Sequence, residues 1–494
     1  MRLLLLTGFC LALFISCNRE DASEYFTGRV KFPVQPNLGA KEAMAARVVP
    51  HPRQLDWQKL EMTAFIHFGI NTFTDREWGT GDESPELFNP TALDAEQWVK
   101  VLGEAGMKMV IITAKHHDGF CLWPTKTTDH SVASSPWKGG GGDVIRELKD
   151  ACDKQGMKFG VYLSPWDRNA GCYGDSPAYN VFYMEQLTEL LTWYGKVDEV
   201  WFDGANGEGP DGRRQEYDWQ AYYDLIRKLQ PDAVTAIMGE DVRWVGTETG
   251  YGRETEWSVT ALAPGDTPES RAINEALGLT PMSGDLGSST LLRKADNVFW
   301  YPAEVDVSIR PGWFWHASEN SQVKDVSKLA EIFLSSVGRN AVLLLNVPPD
   351  NRGLITDSDI KSLMGLKEWI DGMYDTDLLN GARPYGRGAS YAIDGDNRTS
   401  WSPRRGRVAS FVPAIVATFN VAMLQEDISR GQRVEKFVIE ALSESKWDTI
   451  ATGTTIGYKR LIRFPEVKAD EIRLTIVSSR ANPHISTFAL YNAE

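Results

Sequence analysis

The stretch VWFDGANGEG, residues 200–209, decides how the rest of the chain is interpreted. Valine and two bulky aromatic residues precede Asp203, and small residues follow it. An apolar run that stops at a Gly-rich segment is typical of a parallel strand buried on both faces. If such strands form a β/α barrel, Asp203 lies at a carboxyl strand end, where barrel active sites are built. The alternative is an Asp that supports a tight turn beside Gly204.

Strand-like and helix-like segments alternate on both sides of this stretch. Predicted strands occupy residues 62–70, 109–117, 158–166, 197–205, 233–239 and 341–349, and predicted helices occupy 94–107, 142–157, 178–195, 217–230 and 325–340. This alternation predicts an α/β fold, a (β/α)8-like TIM barrel over residues 45–372. Residues 250–295 are rich in Gly, Ser and Pro, and we expect a long, irregular functional loop there.

The length and charge of the chain limit the possible functions. A chain of 494 residues is long for one domain, so a barrel with a smaller second module is the default expectation. The formal net charge of −15 argues against a nucleic-acid partner, which requires a basic surface. The 17 Trp and 16 Tyr residues supply flat apolar faces that suit sugars, although most of them are expected to be core.

The first 16 residues, MRLLLLTGFCLALFIS, are typical of an export signal peptide. The run that ends at Ser16 and Cys17 resembles a bacterial lipobox, although Phe14 stands where Leu is usual. The resemblance implies lipidation of Cys17. The composition of the residues that follow predicts a polar tether over residues 17–44. We therefore expect an exported, membrane-anchored lipoprotein on a periplasmic or outer-membrane face. Cys121, Cys152 and Cys172 remain, and three scattered cysteines do not make a disulfide framework.

The composition changes near residue 375, where DLLNGARPYGRGASY begins a region of short β-type runs. This pattern predicts an all-β sandwich over residues 373–494. The segment AIDGDNRTSWSP, residues 392–403, resembles galactose-binding-like or discoidin-type domains. Asp394, Asp396 and Thr399 predict a turn in this segment, with a calcium loop as the alternative.

Polar residues cluster at the carboxyl ends of the predicted barrel strands. His67 ends the first strand, His116 and His117 the second, Trp166 the third and Asp203 the fourth. These positions converge on one mouth of a barrel. A metal site is a competing interpretation, but adjacent histidines on an extended strand point to opposite sides and no H-x-H or H-E-x-x-H spacing occurs. We therefore expect no metal and no cofactor.

Six motifs along the chain together carry a family resemblance: HFGINTF, REWG, AKHHDGFCLW, YLSPWD, VWFDGANG and RWVGTETG. In this order they resemble glycoside hydrolase family 29, the retaining α-L-fucosidases, over roughly residues 45–365. The resemblance implies a β/α barrel followed by a β-sandwich. It also implies hydrolysis of fucosylated oligosaccharides or glycoconjugates by double displacement through a fucosyl-enzyme intermediate.

The resemblance also implies roles for individual residues. Asp203 matches the nucleophile of the family's W-F-D motif. Glu248 matches the acid/base in the branch that acts on α-1,3/1,4-linked fucose, with Glu240, Glu254 and Glu256 as nearby competitors. A substrate-binding role, in hydrogen bonding, wall formation or support of Glu248, is implied for His67, Glu77, Trp78, His116, His117, Trp201, Arg243 and Trp313.

Two other functions fit parts of the sequence. One is a lipid-anchored carbohydrate-binding protein that keeps the pocket without turnover, which a missing carboxylate would have indicated. Both Asp203 and Glu248 are present. The other is a metal-dependent hydrolase on the same barrel, which a chelator would inactivate.

Overall fold

The computed structural model describes residues 25–34, 36–403 and 407–493. Its strands, in chain order, are β1 (Phe26–Thr27), β2 (Arg29–Lys31), β3 (Val48–Val49), β4 (Met62–Ile66), β5 (Met109–Lys115), β6 (Lys158–Leu163), β7 (Glu199–Phe202), β8 (Val234–Ile237), β9 (Arg243–Trp244), β10 (Val259–Thr260), β11 (Asn297–Trp300), β12 (Ala303–Ser308), β13 (Ala341–Asn346), β14 (Arg383–Tyr385), β15 (Val408–Val412), β16 (Thr418–Glu426), β17 (Val434–Ser443), β18 (Lys446–Gly453), β19 (Arg460–Lys468), β20 (Glu471–Ser479) and β21 (Ile485–Tyr491). Its α-helices are α1 (Leu38–Ala45), α2 (Pro52–Gln58), α3 (Asn71–Thr74), α4 (Ala95–Glu104), α5 (Val144–Gln155), α6 (Ser176–Trp193), α7 (Trp219–Leu229), α8 (Pro268–Leu277), α9 (Ser289–Lys294), α10 (Val326–Ser336) and α11 (Asp357–Tyr374).

Eight parallel strands form the predicted barrel, in the order β8, β7, β6, β5, β4, β13, β12 and β9. Strand β13 joins the last part of the chain back to β4, with Leu343 opposite Met62. Every residue of β5 is buried, as expected for a strand covered on both faces. The two ends of the sheet, β8 and β9, meet through one isolated backbone bridge between Met238 and Arg243, so the barrel is nearly closed.

Helices α4 to α7 each follow one of the strands β4 to β7, and their ends carry ordinary capping signals. Asp94 and Asp143 accept hydrogen bonds from the backbone at the starts of α4 and α5, and Gly156 ends α5 in the left-handed region. This half of the barrel agrees with the predicted alternation. No helix separates β8 from β9, and the connection from β9 to β12 holds α8, α9, β10 and β11 instead.

The prediction of an irregular loop over residues 250–295 was wrong where α8 and α9 form, at Pro268–Leu277 and Ser289–Lys294. Helix α8 has clear local signals. Thr267 caps its start, Pro268 is its first residue, and Gly278 ends it at φ 65°. The Gly, Ser and Pro content that suggested a loop includes Pro268 and Gly278, which begin and end this helix.

The amino-terminal segment is packed on the fold from residue 25 onward rather than forming a free polar tether. Strand β2 pairs with β11, Val30 facing Val298, and Val30 and Phe32 are buried. The predicted signal peptide, and Cys17 with the first part of the predicted tether, lie outside the described residues. Among the residues that are described, no helix is long and apolar enough to cross a membrane.

The carboxyl-terminal region forms two antiparallel sheets, β14-β15-β20-β17-β18 and β19-β16-β21. Their facing sides share one apolar core, to which Phe437 and Leu474 contribute from one sheet and Leu424 and Phe488 from the other. This arrangement is the predicted β-sandwich. Helix α11, which precedes it, ends at Tyr374, two residues past the predicted boundary at residue 372.

The acidic segment of the sandwich adopts a hydrogen-bonded turn. Asp394 accepts from Asp396 N at 2.9 Å and from Thr399 Oγ1 at 2.7 Å. The Asp396 carboxylate accepts two hydrogen bonds of 2.8 Å from the Arg398 guanidinium. These carboxylates are therefore engaged within the turn, as the turn interpretation of this segment requires.

Candidate active site

A pocket of about 400 Å³ opens at the carboxyl ends of the barrel strands. Strands or the loops that follow them supply its walls, and the lining residues are Phe65, His67, Trp78, His116, His117, Trp201, Asp203, Gly204, Ala205, Ile237, Met238, Trp244, Glu248, Asp306 and Trp313. The parallel register brings residues that are more than 200 positions apart in sequence to this one mouth.

Asp203 directly follows β7, as predicted from the sequence. Its Oδ1 accepts a hydrogen bond of 2.7 Å from Ala205 N, which is the turn contact that the alternative interpretation foresaw. Its Oδ2 accepts one of 3.2 Å from the Tyr162 hydroxyl and lies 3.9 Å from His117 Nε2. The side chain is 26% exposed. One oxygen is therefore held by the backbone while the other faces the pocket.

Glu248 lies on the loop after β9, on the same pocket. Partial burial raises the pKa of Glu248, and the negative charges of Asp203 and Glu77 raise it further. A hydrogen bond from the Trp313 side chain opposes this rise. The pocket therefore holds one carboxyl group that accepts two hydrogen bonds and another whose environment favours retention of a proton.

The three competing glutamates are occupied elsewhere. Glu240 lines a separate cleft beside Arg53. Glu254 forms ion pairs with Arg339 and Arg460. Glu256 is buried in an ion pair with Arg243, so Glu248 is the only one of the four candidates that lines this pocket.

His67 is fixed as a neutral ring of known tautomer. Asn346 donates from its amide to Ser308 Oγ and to Trp313 O, so its Oδ1 is the acceptor, 2.8 Å from His67 Nδ1. The proton therefore lies on Nδ1, and Nε2 is left as an acceptor. Complete burial lowers the pKa of His67 to about 3, which keeps the ring neutral.

The tautomer of His117 is fixed in the same way. Ser164 Oγ donates to Trp166 O at 2.6 Å, so it accepts from His117 Nδ1 at 2.8 Å. His117 Nε2 is then an acceptor that faces the Asp203 carboxylate. The neighbouring ring of His116 is buried, burial lowers its pKa well below the ordinary value, and its Nδ1 has no hydrogen-bond partner among the described residues.

Two residues that were predicted to bind substrate do not line the pocket. Glu77 accepts hydrogen bonds from the backbone of Trp313 at 2.9 Å and of Phe314 at 3.3 Å, so it holds the loop that carries Trp313. Arg243 is fully buried, donates to Tyr301 O and pairs with Glu256. Neither side chain faces the pocket. Glu77 supports the loop that carries Trp313, and Arg243 pairs with Glu256 beneath the pocket wall.

Several residues of the site were not predicted. Asp306 lines the pocket from within β12, accepts a hydrogen bond of 2.8 Å from Trp244 Nε1, and its burial raises its pKa to about 7. Tyr162 reaches Asp203 from β6, and Met238 lines the wall at the end of β8. The alternation of polar and apolar residues in AEVDVS, which makes up β12, was the available signal for Asp306. Nothing local distinguishes Tyr162 or Met238 from core residues.

Across residues 25–34, 36–403 and 407–493, no group of three or more His, Cys, Asp and Glu side chains is arranged to hold a metal ion. The histidines of the pocket lie beside aromatic rings instead. The His67 ring is 5.1 Å from that of Trp313, and the His117 ring is 5.0 Å from that of Trp166.

A barrel mouth that brings Asp203 and Glu248 together among imidazoles and indoles, with Asp306 as a third carboxyl group, is the arrangement expected of a glycoside hydrolase. A family model described as "Alpha-L-fucosidase" matches residues 48–373. The chain therefore belongs to the alpha-L-fucosidase family, glycoside hydrolase family 29, and is an enzyme of that class.

Individual relatives agree with this assignment. The chain is 42% identical to alpha-L-fucosidase 1 of Arabidopsis thaliana over 467 residues, which cover 90% of this chain and 87% of that protein. A Ruminococcus gnavus family 29 fucosidase in complex with fucose has a TM-score of 0.79 at 32% identity, covering 90% of this chain and 95% of that one. A crystal structure of a candidate alpha-L-fucosidase from Bacteroides ovatus has a TM-score of 0.90 at 56% identity, and the match covers 95% of this chain and 78% of that one.

The pKa of His67 gives a prediction for stability against pH. The ring stays neutral in the folded state down to about pH 3, whereas in the unfolded chain it takes up a proton below about pH 6.5. The contribution of His67 to the free energy of unfolding should therefore fall as pH decreases from about 6.5 to 3, by up to about 1.4 kcal/mol per pH unit. Denaturant unfolding of wild type and His67→Gln over this range measures the difference in slope. Equal slopes would show that the folded ring is readily protonated.

Proposed function

We propose that the enzyme is an exo-acting, retaining α-L-fucosidase in which Asp203 is the nucleophile and Glu248 the general acid/base. The observation that carries this proposal is the single pocket that both carboxyl groups line, with opposite environments. Asp203 accepts hydrogen bonds from Ala205 N and Tyr162, which fix the orientation of its carboxyl group in the pocket. Glu248 has a raised pKa, which favours the acid form.

The reaction has two displacements at the anomeric carbon. In the first, Asp203 Oδ2 forms a bond to C1 of fucose while the bond to the leaving oxygen breaks and Glu248 gives that oxygen its proton. In the second, Glu248 takes a proton from water, whose oxygen attacks C1 and releases Asp203. Two inversions give a product that retains the α configuration.

The imidazoles suit the hydroxyl groups of the sugar. His67 Nε2 and His117 Nε2 are acceptors, so each can take a hydrogen bond from a hydroxyl. His117 Nε2 and Asp203 Oδ2 are two acceptors 3.9 Å apart, so their lone pairs repel each other. A sugar hydroxyl that donates a hydrogen bond to one of them would reduce this repulsion. The rings of Trp201 and Phe65, 5.0 Å apart, supply apolar surface on the same wall for the C–H faces and the methyl group of fucose.

The proposed substrates are α-1,3/1,4-linked fucosyl residues of branched glycans. The resemblance of the RWVGTETG segment to that branch of the family supports this linkage. Purified enzyme should cleave Lewis-type trisaccharides with a kcat/KM at least about tenfold above that for a 2-linked fucosyl lactose, the ratio that 1.4 kcal/mol of transition-state discrimination gives. An aryl fucoside serves as the reference substrate. Preference for the 2-linked sugar would contradict the linkage, and binding without release of fucose would favour the carbohydrate-binding alternative.

Asp203→Asn should reduce turnover by roughly 10³-fold or more, because the amide cannot form the glycosyl-enzyme bond. The variant should remain folded, since the amide oxygen can still accept from Ala205 N. Steady-state kinetics and thermal melting measure the two effects. Near-normal activity would remove Asp203 as the nucleophile.

Glu248→Ala should cripple cleavage of a fucosyl glycan by about 10²–10⁴-fold, because a sugar alkoxide leaves poorly without a proton. The same variant should still be fucosylated by a substrate with an excellent leaving group and then accumulate the intermediate. Azide needs no general base and should restore turnover, giving α-L-fucosyl azide after two inversions. Glu240→Ala, Glu254→Ala and Glu256→Ala are the controls, and azide rescue of one of them in place of Glu248→Ala would move the acid/base to that residue.

Membrane anchoring through a lipid on Cys17 is part of the proposal, and the lipobox-like sequence before Cys17 supports it. An acyl chain contributes about 0.8 kcal/mol per buried CH₂, so its loss should release the protein. Cys17→Ser expressed in a bacterium that processes lipoproteins should move from the membrane fraction to the soluble fraction. Continued sedimentation with membranes would exclude this anchor.

A further inference from the structure

The loop that carries Glu248 packs closely against neighbouring residues at two glycines. We define the acid/base loop as residues 245–252. Gly246 and Gly250 lie in it at φ 101° and 87°, where other residues are strained. A Cβ on Gly246 would lie 2.7 Å from Pro281 O, and one on Gly250 would lie 2.9 Å from the Ile332 side chain. The loop is therefore pressed against its surroundings at these two points.

The chain that follows the acid/base loop is held by the β-sandwich. Arg460 on β19 donates to Glu254 O at 2.8 Å and to Glu254 Oε2 at 2.8 Å. Thr454 Oγ1 donates to the same carbonyl at 2.9 Å. The Arg460 side chain is only 7% exposed, so its charge is satisfied largely by this carbonyl and carboxylate.

The next residues are held in the same way. Glu256 N donates to Thr455 Oγ1 at 3.0 Å, and Glu256 O accepts from Gln432 Nε2 at 3.0 Å. The Glu256 carboxylate forms a buried ion pair with Arg243, which lies on β9 just before the acid/base loop. The two ends of the loop are thus joined to each other and, through Glu254 and Glu256, to the sandwich.

We propose that the β-sandwich positions the general acid/base, with Arg460 as a positioning residue that acts through Glu254 and the acid/base loop on Glu248. This inference rests on the proposed role of Glu248. Arg460 does not line the pocket, so it has no part in binding fucose or in the covalent step at Asp203. Displacement of a catalytic group by about 1 Å can cost on the order of 10²-fold in rate, and Arg460 prevents such displacement of Glu248.

The test compares Arg460→Ala with Arg460→Lys and with Arg463→Ala, which removes an exposed guanidinium from the same strand. We expect Arg460→Ala to lose about 10- to 100-fold in kcat/KM on a Lewis-type trisaccharide. On an aryl fucoside with an excellent leaving group, the fucosylation rate should change less than about threefold, because that step needs little acid help. Arg460→Lys should recover part of the loss, and Arg463→Ala should match wild type.

A second arm places Arg460→Ala in the Glu248→Ala background. Because Arg460 acts through Glu248, the double variant should cleave the trisaccharide no more slowly than Glu248→Ala alone. Equal losses on both substrates, or a further loss in the double variant, would overturn the positioning role. If Arg460→Ala does not fold by thermal melting, Thr455→Val, which loses only the Glu256 N contact, takes its place with the same expectations.

The two proposals fail in different ways. If Glu248→Ala shows no dependence on the leaving group and no azide rescue, the acid/base assignment fails whatever Arg460→Ala does. Suppose that Glu248→Ala behaves as expected, while Arg460→Ala and Thr455→Val leave the ratio of the trisaccharide kcat/KM to the aryl fucoside fucosylation rate unchanged. The positioning role alone then fails.

Discussion

The arrangement of the site depends on how the barrel closes between β8 and β9. These strands meet through one backbone bridge, Met238 to Arg243, without the helix that follows each strand from β4 to β7. The chain therefore turns back directly after β8 and re-enters the wall as the two-residue β9. Glu248 follows this short strand, so regular barrel hydrogen bonding holds it less than it holds Asp203. Helix α10 and the segment after it supply part of the remaining support, through Ser335 O and Arg339 on the backbone of Gly252. The sandwich supplies another part through Glu254 and Glu256.

Buried carboxyl groups below the pocket shape its wall without adding charge to it. Trp201 donates its indole N–H to Glu304 at 2.8 Å, and Trp57 donates to Glu199 at 2.8 Å. Burial raises the pKa of both glutamates, and their mutual repulsion raises that of Glu304 further. A protonated acid can accept the indole hydrogen bond at little electrostatic cost. Glu304 therefore orients Trp201 without adding a negative charge beside Asp203.

Sequence patterns predicted the barrel where each strand and helix carries its own signal. The strands from β4 to β8 and the helices from α4 to α7 fall within the predicted ranges or within two residues of them. Helix α8 was missed in the connection after β9, because Pro268 and Gly278, which begin and end it, were counted as loop composition. In the site, residues at strand ends could be predicted, since a polar residue after an apolar run is visible in the sequence. Asn346 ends the apolar run of β13 and carries the same signal, but its hydrogen bond to His67 depends on the register of β13 against β4. Tyr162 could not be predicted, because only the packing of neighbouring strands brings it to Asp203.

The sandwich and the barrel are coupled by a strand that is apolar on both faces. Along β16, Ala422 and Leu424 point into the sandwich core, whereas Val421 and Met423 belong to the core that includes the barrel helices. A one-residue slip of β16 would exchange the two sets, so its register fixes both packings at once. The bridge between Arg339 and Arg460 then joins the segment after α10 to β19, the neighbour of β16. Arg460 is therefore held by the same apolar layer that joins the two domains, and separating them would expose Val421 and Met423 to water and break the ion pair between Arg460 and Glu254.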